Sequence, residues 1–181
     1  MENDTIILLP AEPALAQQVT NYICRNRSFL APFEPEREEA YFTSAYQRML
    51  LEEEVDARKR KTSYRFFICL KEDPERIIGS ISLGNVVWGG FRSAFLGYKL
   101  DKDCLSRGYM TMAVAMLVRY AFEELKLHRI EANVMPRNTA SLRVLEKNGF
   151  ACEGLSPYYL RVNGVWEDHL HMVRLNFALH P

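Results

Sequence analysis

The sequence predicts an α/β (α+β) layer protein with one mixed central sheet of about seven strands and helices inserted between them, in the order β α α β β β α β α β β. Three features point there. Runs rich in β-branched and aromatic residues alternate along the chain with helical periodicities and do not segregate into separate halves. Met110, Ala113, Val114, Leu117, Val118, Ala121, Phe122 and Leu125 recur at i, i+3, i+4, i+7, i+8, i+11, i+12 and i+15, the apolar stripe of a helix lying on a sheet. The pairs Gly89-Gly90, Asn148-Gly149 and Asn163-Gly164 punctuate the strand-rich stretches as turns. With 181 residues and 48% hydrophobic composition, one core and one domain over residues 1–181 are expected.

In chain order, a strand over Thr5–Leu9 is stopped by Pro10, and a helix follows with Leu15, Val19, Tyr22 and Ile23 at helical spacing. Pro32 and Pro35 make residues 31–37 a loop. A long helix is expected from about Glu38 to Lys61, supported by Glu54 before Arg58 and Asp56 before Arg60, the acid-then-base order four residues apart that suits an exposed helix. Strands follow over Tyr64–Leu70, Ile77–Val87 and Ala94–Leu100, then the striped helix, then a buried strand over Arg129–Met135. Asn138 is a good N-cap for a helix that ends at Asn148-Gly149. Two strands paired across Asn163-Gly164 complete the order.

Charge narrows the function. Lys plus Arg number 23 and Asp plus Glu number 23, so the chain lacks the basic excess that a general nucleic-acid binder or a membrane-surface protein needs. The neutrality averages unlike halves. Residues 1–90 hold 11 basic and 14 acidic side chains, residues 91–181 hold 12 and 9. No apolar run approaches the roughly 20 residues of a membrane span, and Glu2 and Asp4 stand where a signal peptide would be basic, so a soluble cytoplasmic protein is expected. Cys24, Cys69, Cys104 and Cys152 show no C-x-x-C spacing and read as free, mostly buried thiols.

Residues 104–113, Cys-Leu-Ser-Arg-Gly-Tyr-Met-Thr-Met-Ala, join a strand to the striped helix. Such a loop directs free backbone N–H groups and the positive end of a helix dipole at one point, where Gly108 allows close approach and Arg107 adds charge; this suits an anion such as a phosphate. Around it lie Leu96-Gly97-Tyr98-Lys99-Leu100, Gly108-Tyr109-Met110-Thr111, His128-Arg129-Ile130-Glu131-Ala132-Asn133-Val134-Met135-Pro136-Arg137-Asn138, Ser141, Asn148-Gly149-Phe150, Glu153-Gly154 and Asn163-Gly164-Val165-Trp166-Glu167-Asp168-His169. In order and spacing these segments resemble the GNAT superfamily of acetyl-CoA-dependent N-acetyltransferases, and within it the Rim-type enzymes that modify the N-terminal alanine of ribosomal proteins.

The resemblance implies that the strand carrying Tyr98 splays from the strand carrying Asn133, with the pantetheine of acetyl-CoA in the gap and its pyrophosphate on the loop from Leu105 to Met110. Cofactor contacts are thereby expected from Tyr98, Leu100, Leu105, Ser106, Arg107, Gly108, Tyr109, Met110, Asn138 and Ser141, with Arg143 and Lys147 near the adenine end. Leu105 and Met110 depart from the superfamily's usual phosphate loop, which has Gln or Arg and a small residue at these places. Splayed strands leave main-chain N–H and C=O groups unpaired, so a cofactor carrying peptide-like amides answers a real need.

The reaction requires a neutral amine, a held oxyanion and a protonated leaving thiol. Backbone N–H groups near Tyr98–Leu100 are expected at the oxyanion. Leu145 stands where many relatives carry an acidic Tyr, which leaves Ser141, one turn into the last helix, as the candidate proton donor. Asn133 occupies a position held by Glu in another Rim-type branch and is suited to hydrogen-bond the amine. Pairing Val162 with Val165 sets Tyr159 opposite Asp168 and Tyr158 opposite His169, so Asp168 and Glu131 are the candidate bases. A strong base is not essential: with α-amino pKa values of roughly 7.7–8.0 against about 10.4 for Lys, roughly a fifth to a third of N-termini are neutral at about pH 7.4, against about one Lys in a thousand. His169 and His171 share a strand face but lack supporting Cys or carboxylate spacing for a metal, and no Ser-His-Asp set is readable.

The expected activity is transfer of acetyl from acetyl-CoA to a protein N-terminal amine, by resemblance a ribosomal protein alanine, in a monomer or homodimer that binds neither nucleic acid nor membrane. A small amine such as a polyamine or aminoglycoside is the alternative acceptor. It would demand an acidic cleft, for which Glu34, Glu36, Glu38 and Glu39 are candidates. A non-catalytic acyl-CoA-binding protein is the third reading.

Overall fold

The computed structural model describes residues 1–179. Seven strands form one sheet in the spatial order β1-β2-β3-β4-β5-β7-β6: β1 (Ile6–Pro10), β2 (Tyr64–Leu70), β3 (Asp73–Val87), β4 (Ser93–Leu100), β5 (Arg129–Val134), β6 (Ala151–Val162) and β7 (Val165–Leu175). All neighbours are antiparallel except β4 and β5, whose parallel pairing requires a crossover, here α3 (Tyr109–Glu123). The expected order of seven strands and four helices is the observed one.

The period-two alternation of each strand divides the core. On one face Ala94 and Leu96 of β4, Ile130, Ala132 and Val134 of β5, and Ile68 and Ile81 meet the apolar stripe of α3, with Ala113, Val114, Leu117 and Ala121 wholly or nearly enclosed. Helix α4 (Thr139–Lys147) lies on the same face and buries Leu145 completely, which makes that position a packing residue. The opposite face presents Phe67 and Cys69 to α1 (Ala16–Leu30) and α2 (Ser44–Lys59), whose Val19, Tyr22, Ile23 and Leu51 close a second, smaller core.

The parallel pairing of β4 with β5 runs only from Ser93–Arg129 to Phe95–Glu131. Beyond it Gly97–Leu100 and Asn133–Val134 diverge, which is the expected splay.

The predicted helix over residues 38–61 is shorter in the structure. Residues Glu39–Phe42 form a 3₁₀ turn, and Thr43, extended at φ −106°, ψ 148°, caps α2 by accepting the Tyr46 N–H. Its expected i,i+4 pairs are absent because Glu54 and Arg58 take tertiary partners, Glu54 holding Arg65 at 2.7 Å and Ser63 at 3.0 Å and Arg58 reaching Glu12, while Asp56 pairs one residue nearer along the helix, with Lys59. An i,i+4 pair is worth only about 0.2–0.5 kcal/mol, so a better-buried partner wins. Cys24 and Cys152 are exposed and only Cys69 and Cys104 buried, against the expectation of mostly buried thiols.

One buried carboxylate ties the two helical layers to the functional loop. Asp101, fully enclosed, follows β4 and accepts Arg25 from α1 at 2.7 Å and the Asp103 N–H at 3.0 Å. Asn26 of α1, equally buried, accepts the Lys102 N–H at 3.0 Å. Burial opposes ionisation of Asp101, but the Asp103 N–H and the Arg25 guanidinium outweigh it and hold the carboxyl below its usual range. Its contribution is therefore complete above about pH 4, the ordinary Asp value, and is lost as pH falls through the lower folded value. Asp101→Asn should lower stability by about 2–4 kcal/mol at neutral pH. Denaturant melts of the two proteins should converge as the pH drops below that range, and a constant gap would contradict the assignment.

Candidate active site

The anion-binding end is built by the chain between β4 and α3. Asp101 starts a 3₁₀ turn over Lys102–Cys104, and the backbone then takes left-handed conformations at Ser106 (φ 59°) and Gly108 (φ 81°). Gly108 is the N-cap of α3 and no side chain caps that helix. The N–H groups of Tyr109, Met110 and Thr111 therefore lack intrahelical acceptors, and with the dipole they form a site for negative charge. They open on a cavity of about 830 Å³ that follows the parted strands, with Arg143 and Lys147 of α4 on its wall. Every residue named from the sequence for the cofactor lines this cavity except Arg107, which is exposed on the loop outside it.

Asn138 caps α4 as expected, its Oδ1 accepting the Ser141 N–H at 3.2 Å. Ser141 faces β4: the Tyr98 hydroxyl lies 2.7 Å from Ser141 Oγ and 3.1 Å from its carbonyl oxygen. Burial pushes the Tyr98 phenol up to about 12 despite this hydrogen bond, so the tyrosine stays protonated. When its hydrogen goes to Ser141 Oγ, the serine hydroxyl is left free to donate into the cavity. Coupling between Tyr98 and Ser141 was invisible in the sequence, where Tyr98 counted only as a strand residue beside the cofactor.

On the opposite sheet face the cavity meets α1 and the segment after it. Lys99 alternates with Tyr98 and so projects there, bonding Glu34 at 2.6 Å; Arg37, Tyr41 and Arg65 complete this wall. The acidic cluster read from the sequence is dispersed. Glu34 alone faces the cavity, Glu39 is paired with Arg27, and Glu36 and Glu38 are exposed.

Asn133 lies just past the last β4–β5 pair. Its Nδ2 donates to the Tyr159 hydroxyl at 3.4 Å, and its Oδ1 is buried without a hydrogen-bond partner among the described residues. Glu131 accepts Arg129 at 2.9 Å and meets His171 at 2.8 Å. Burial raises the cost of its charge, but hydrogen bonds with His171 and Arg129 win and hold the carboxyl below the usual range.

The hairpin register is corrected beyond its first pairs. Val162 opposes Val165 as expected, and Leu160 opposes Glu167, but a bulge in β6 then sets Ser156, not Tyr158, opposite His169. Tyr158 turns left-handed (φ 50°) and donates its N–H to Asp168 Oδ1 at 2.8 Å. Asp168 thus clamps the bulge, and Tyr159 is released to stack edge-on against His171 at 4.9 Å. His171 also holds Ser156 Oγ at 2.8 Å through Nε2, so a Ser–His–Glu set is present that strand spacing alone did not reveal.

An L-residue at the left-handed cap of α3 carries a steric cost of about 1–2 kcal/mol. Gly108→Ala should therefore lower stability by that amount in urea melts, and an unchanged midpoint would mean that the cap can relax.

Comparison with known proteins agrees with this geometry. The family profile for the acetyltransferase (GNAT) domain matches residues 5–151. The chain is 42% identical over 176 residues, 97% of each chain, to the protein of Bacillus subtilis (strain 168) named "Probable N-acetyltransferase YjcK". The crystal structure of a ribosomal-protein-S5-alanine acetyltransferase from Vibrio fischeri superposes with a TM-score of 0.95 at 34% identity, covering 100% of this chain and 98% of that one. Mycobacterium smegmatis RimJ, solved with CoA-disulfide, superposes with a TM-score of 0.87 at 28% identity over 98% of this chain and 90% of its own. An uncapped helix N-terminus beside parted strands, together with these matches, makes this chain a member of the GNAT N-acetyltransferase family, whose co-substrate is acetyl-CoA.

Proposed function

We propose that the protein acetylates the α-amino group of a protein N-terminus, with the N-terminal alanine of a ribosomal protein as its acceptor. The observation that carries this reading is the charge of the cavity wall. On the wall facing α1 one carboxylate, Glu34, is present and is already bonded to Lys99, Arg65 is paired with Glu54, and Arg37 adds positive charge. A polyamine or aminoglycoside would need an acidic cleft, which this wall does not offer. A single α-amine carries at most one positive charge, and roughly a fifth to a third of it is already neutral at about pH 7.4, so it suits this wall better than a polycation does. The likeness to an S5-alanine acetyltransferase along the whole chain points the same way.

Acetyl-CoA supplies the activated thioester, and the chain supplies position and protons. The first-turn N–H groups of α3 with Arg143 and Lys147 would hold the phosphates, and Ser106 and Met110 would border them. The backbone of Tyr98–Leu100, unpaired toward β5, would hold the pantetheine amides and the oxyanion. Asn133 Oδ1 would accept an N–H of the incoming amine and so fill the acceptor that the fold leaves empty. Ser141, backed by protonated Tyr98, would donate to the departing thiolate. Asp168 would serve the hairpin in this scheme, its Oδ1 accepting the Tyr158 N–H.

Thiol release should be measured with acetyl-CoA against Ala-initiated peptides, Lys-containing blocked peptides and spermidine. Turnover should favour the Ala-initiated peptide, and Ser141→Ala should lower kcat about 10²-fold with little change in KM for acetyl-CoA. Preference for spermidine would contradict the acceptor assignment, and full kcat in Ser141→Ala, with chemistry rate-limiting, would remove Ser141 as the donor.

A further inference from the structure

A second cavity, of about 410 Å³, lies between α1, α2 and the sheet face that they cover. Its floor is apolar, with Val19 and Ile23 of α1, Leu51 of α2 and Phe67 of β2. Arg37, Tyr41, Arg65, Ser80 and Lys99 line both this cavity and the cofactor cavity, so the two adjoin on the α1 side of β4. Tyr22 also lines the second cavity. It is only 1% exposed, and its hydroxyl has no hydrogen-bond partner among the described residues. A buried hydroxyl left unpaired costs free energy, and native folds leave few of them. Burial, and then the charges of Glu34 and Asp101, raise the Tyr22 phenol well above its ordinary range, so it stays a hydrogen-bond donor at neutral pH.

The charges of this cavity select against a charged guest. Arg65 is held by Glu54 at 2.7 Å and Lys99 by Glu34 at 2.6 Å, while Arg37, Glu53 and Arg60 are exposed to solvent, Arg37 lying 4.6 Å over the Tyr41 ring. An ion entering would lose its water and find no free counter-charge beside the apolar floor. An aliphatic guest would leave the Tyr22 hydroxyl unpaired. A side-chain amide answers both conditions, because its stem is apolar and its oxygen accepts from Tyr22. Its N–H groups have a partner as well: Glu54 gives one oxygen to Arg65 and the other to Ser63, and each keeps a lone pair.

We propose that the cavity between α1 and α2 is a specificity subsite for the acetylated protein, and that it takes a Gln or Asn side chain a few residues downstream of the acetylated amine, held by the Tyr22 hydroxyl. The inference rests on the transfer to a protein N-terminus proposed above. Lys99 belongs to the part of β4 whose backbone faces the thioester in that scheme, and its side chain borders both cavities. An extended peptide advances about 3.3–3.6 Å per residue, so the positions that follow the amine are the ones that pass this border. Tyr22 is thus a residue of substrate choice and takes no proton in the reaction.

Thermal melts of the full-length protein test the unpaired hydroxyl without any substrate. Tyr22→Phe removes that hydroxyl alone, so its melting midpoint should equal or exceed the wild-type value; a fall of several degrees would show a bond already made within the fold and would overturn the proposal. Specificity is then read by thiol release from acetyl-CoA with Ala-initiated hexapeptide amides of otherwise Ala and Gly sequence, carrying Gln, Leu, Lys or Glu at each of positions 2 to 4. At one position Gln should exceed the other three by about 10-fold in kcat/KM, and Tyr22→Phe should erase its advantage over Leu while leaving the KM for acetyl-CoA unchanged. Ala57→Leu, which narrows the same cavity, should lower kcat/KM for that Gln peptide and spare the peptide without it. Equal rates at every position, or a Gln preference that survives Tyr22→Phe, would reject the subsite and leave the N-terminal acceptor standing. Turnover of spermidine with none of any peptide would instead overturn the acceptor assignment, and the subsite with it.

Discussion

The early end of pairing between β4 and β5 is the constraint on which the rest of the structure depends. Backbone N–H and C=O groups in a sheet are costly to leave unpaired away from water. Here the parallel ladder stops at Phe95–Glu131, and neither Gly97–Leu100 nor Asn133–Val134 is repaired by the other strand. The opening lies in the middle of a seven-stranded sheet, whose strands on either side stay paired with their outer neighbours along β3–β4 and β5–β7. A slot for an amide-bearing ligand follows from that arrangement.

The two sheet faces then divide the chemistry. Alternation along β4 sends Tyr98 and Leu100 toward α3 and α4, where the uncapped helix and the Tyr98–Ser141 pair lie, and sends Lys99 toward α1. Alternation along β5 sends Glu131 and Asn133 to that second face, beside His171 and Tyr159. In the proposed function, phosphate binding and proton donation would fall on one side and amine reception on the other, with the thioester between them. Asp101 and Asn26 link the layers, since both tie the phosphate-side loop to the helix that borders the acceptor side. The charge asymmetry of the two halves of the sequence maps only loosely on this division, because Glu34 is neutralised within the cavity by Lys99 from the other half.

What could be read from the sequence was local. The stripe of α3, the Asn138 cap, the Asn163-Gly164 turn and the Gly108 loop each depend on neighbours a few residues apart, and each stands where it was expected. The start of α2 was misread because Thr43 is an ordinary residue until its φ is known, and the helix charges were misassigned because Arg65 and Glu12 are remote in sequence. The hairpin failed at the bulge, where Tyr158 takes a left-handed backbone that no residue preference announces. Asp168 thereby became a clamp, and Ser156 and His171 became partners. Those partners lie 15 positions apart and Lys99 and Glu34 lie 65 apart, distances over which pattern reading has no purchase.

Amide hydrogen exchange, followed residue by residue with and without CoA, tests the central claim most directly. If the parted strands and the uncapped helix together are the cofactor slot, CoA should slow exchange at residues 97–100 and 106–111 and leave the β6–β7 hairpin tip at residues 162–166 unchanged. Protection confined to the hairpin, or absent from both the strand and the loop under saturating CoA, would contradict the account.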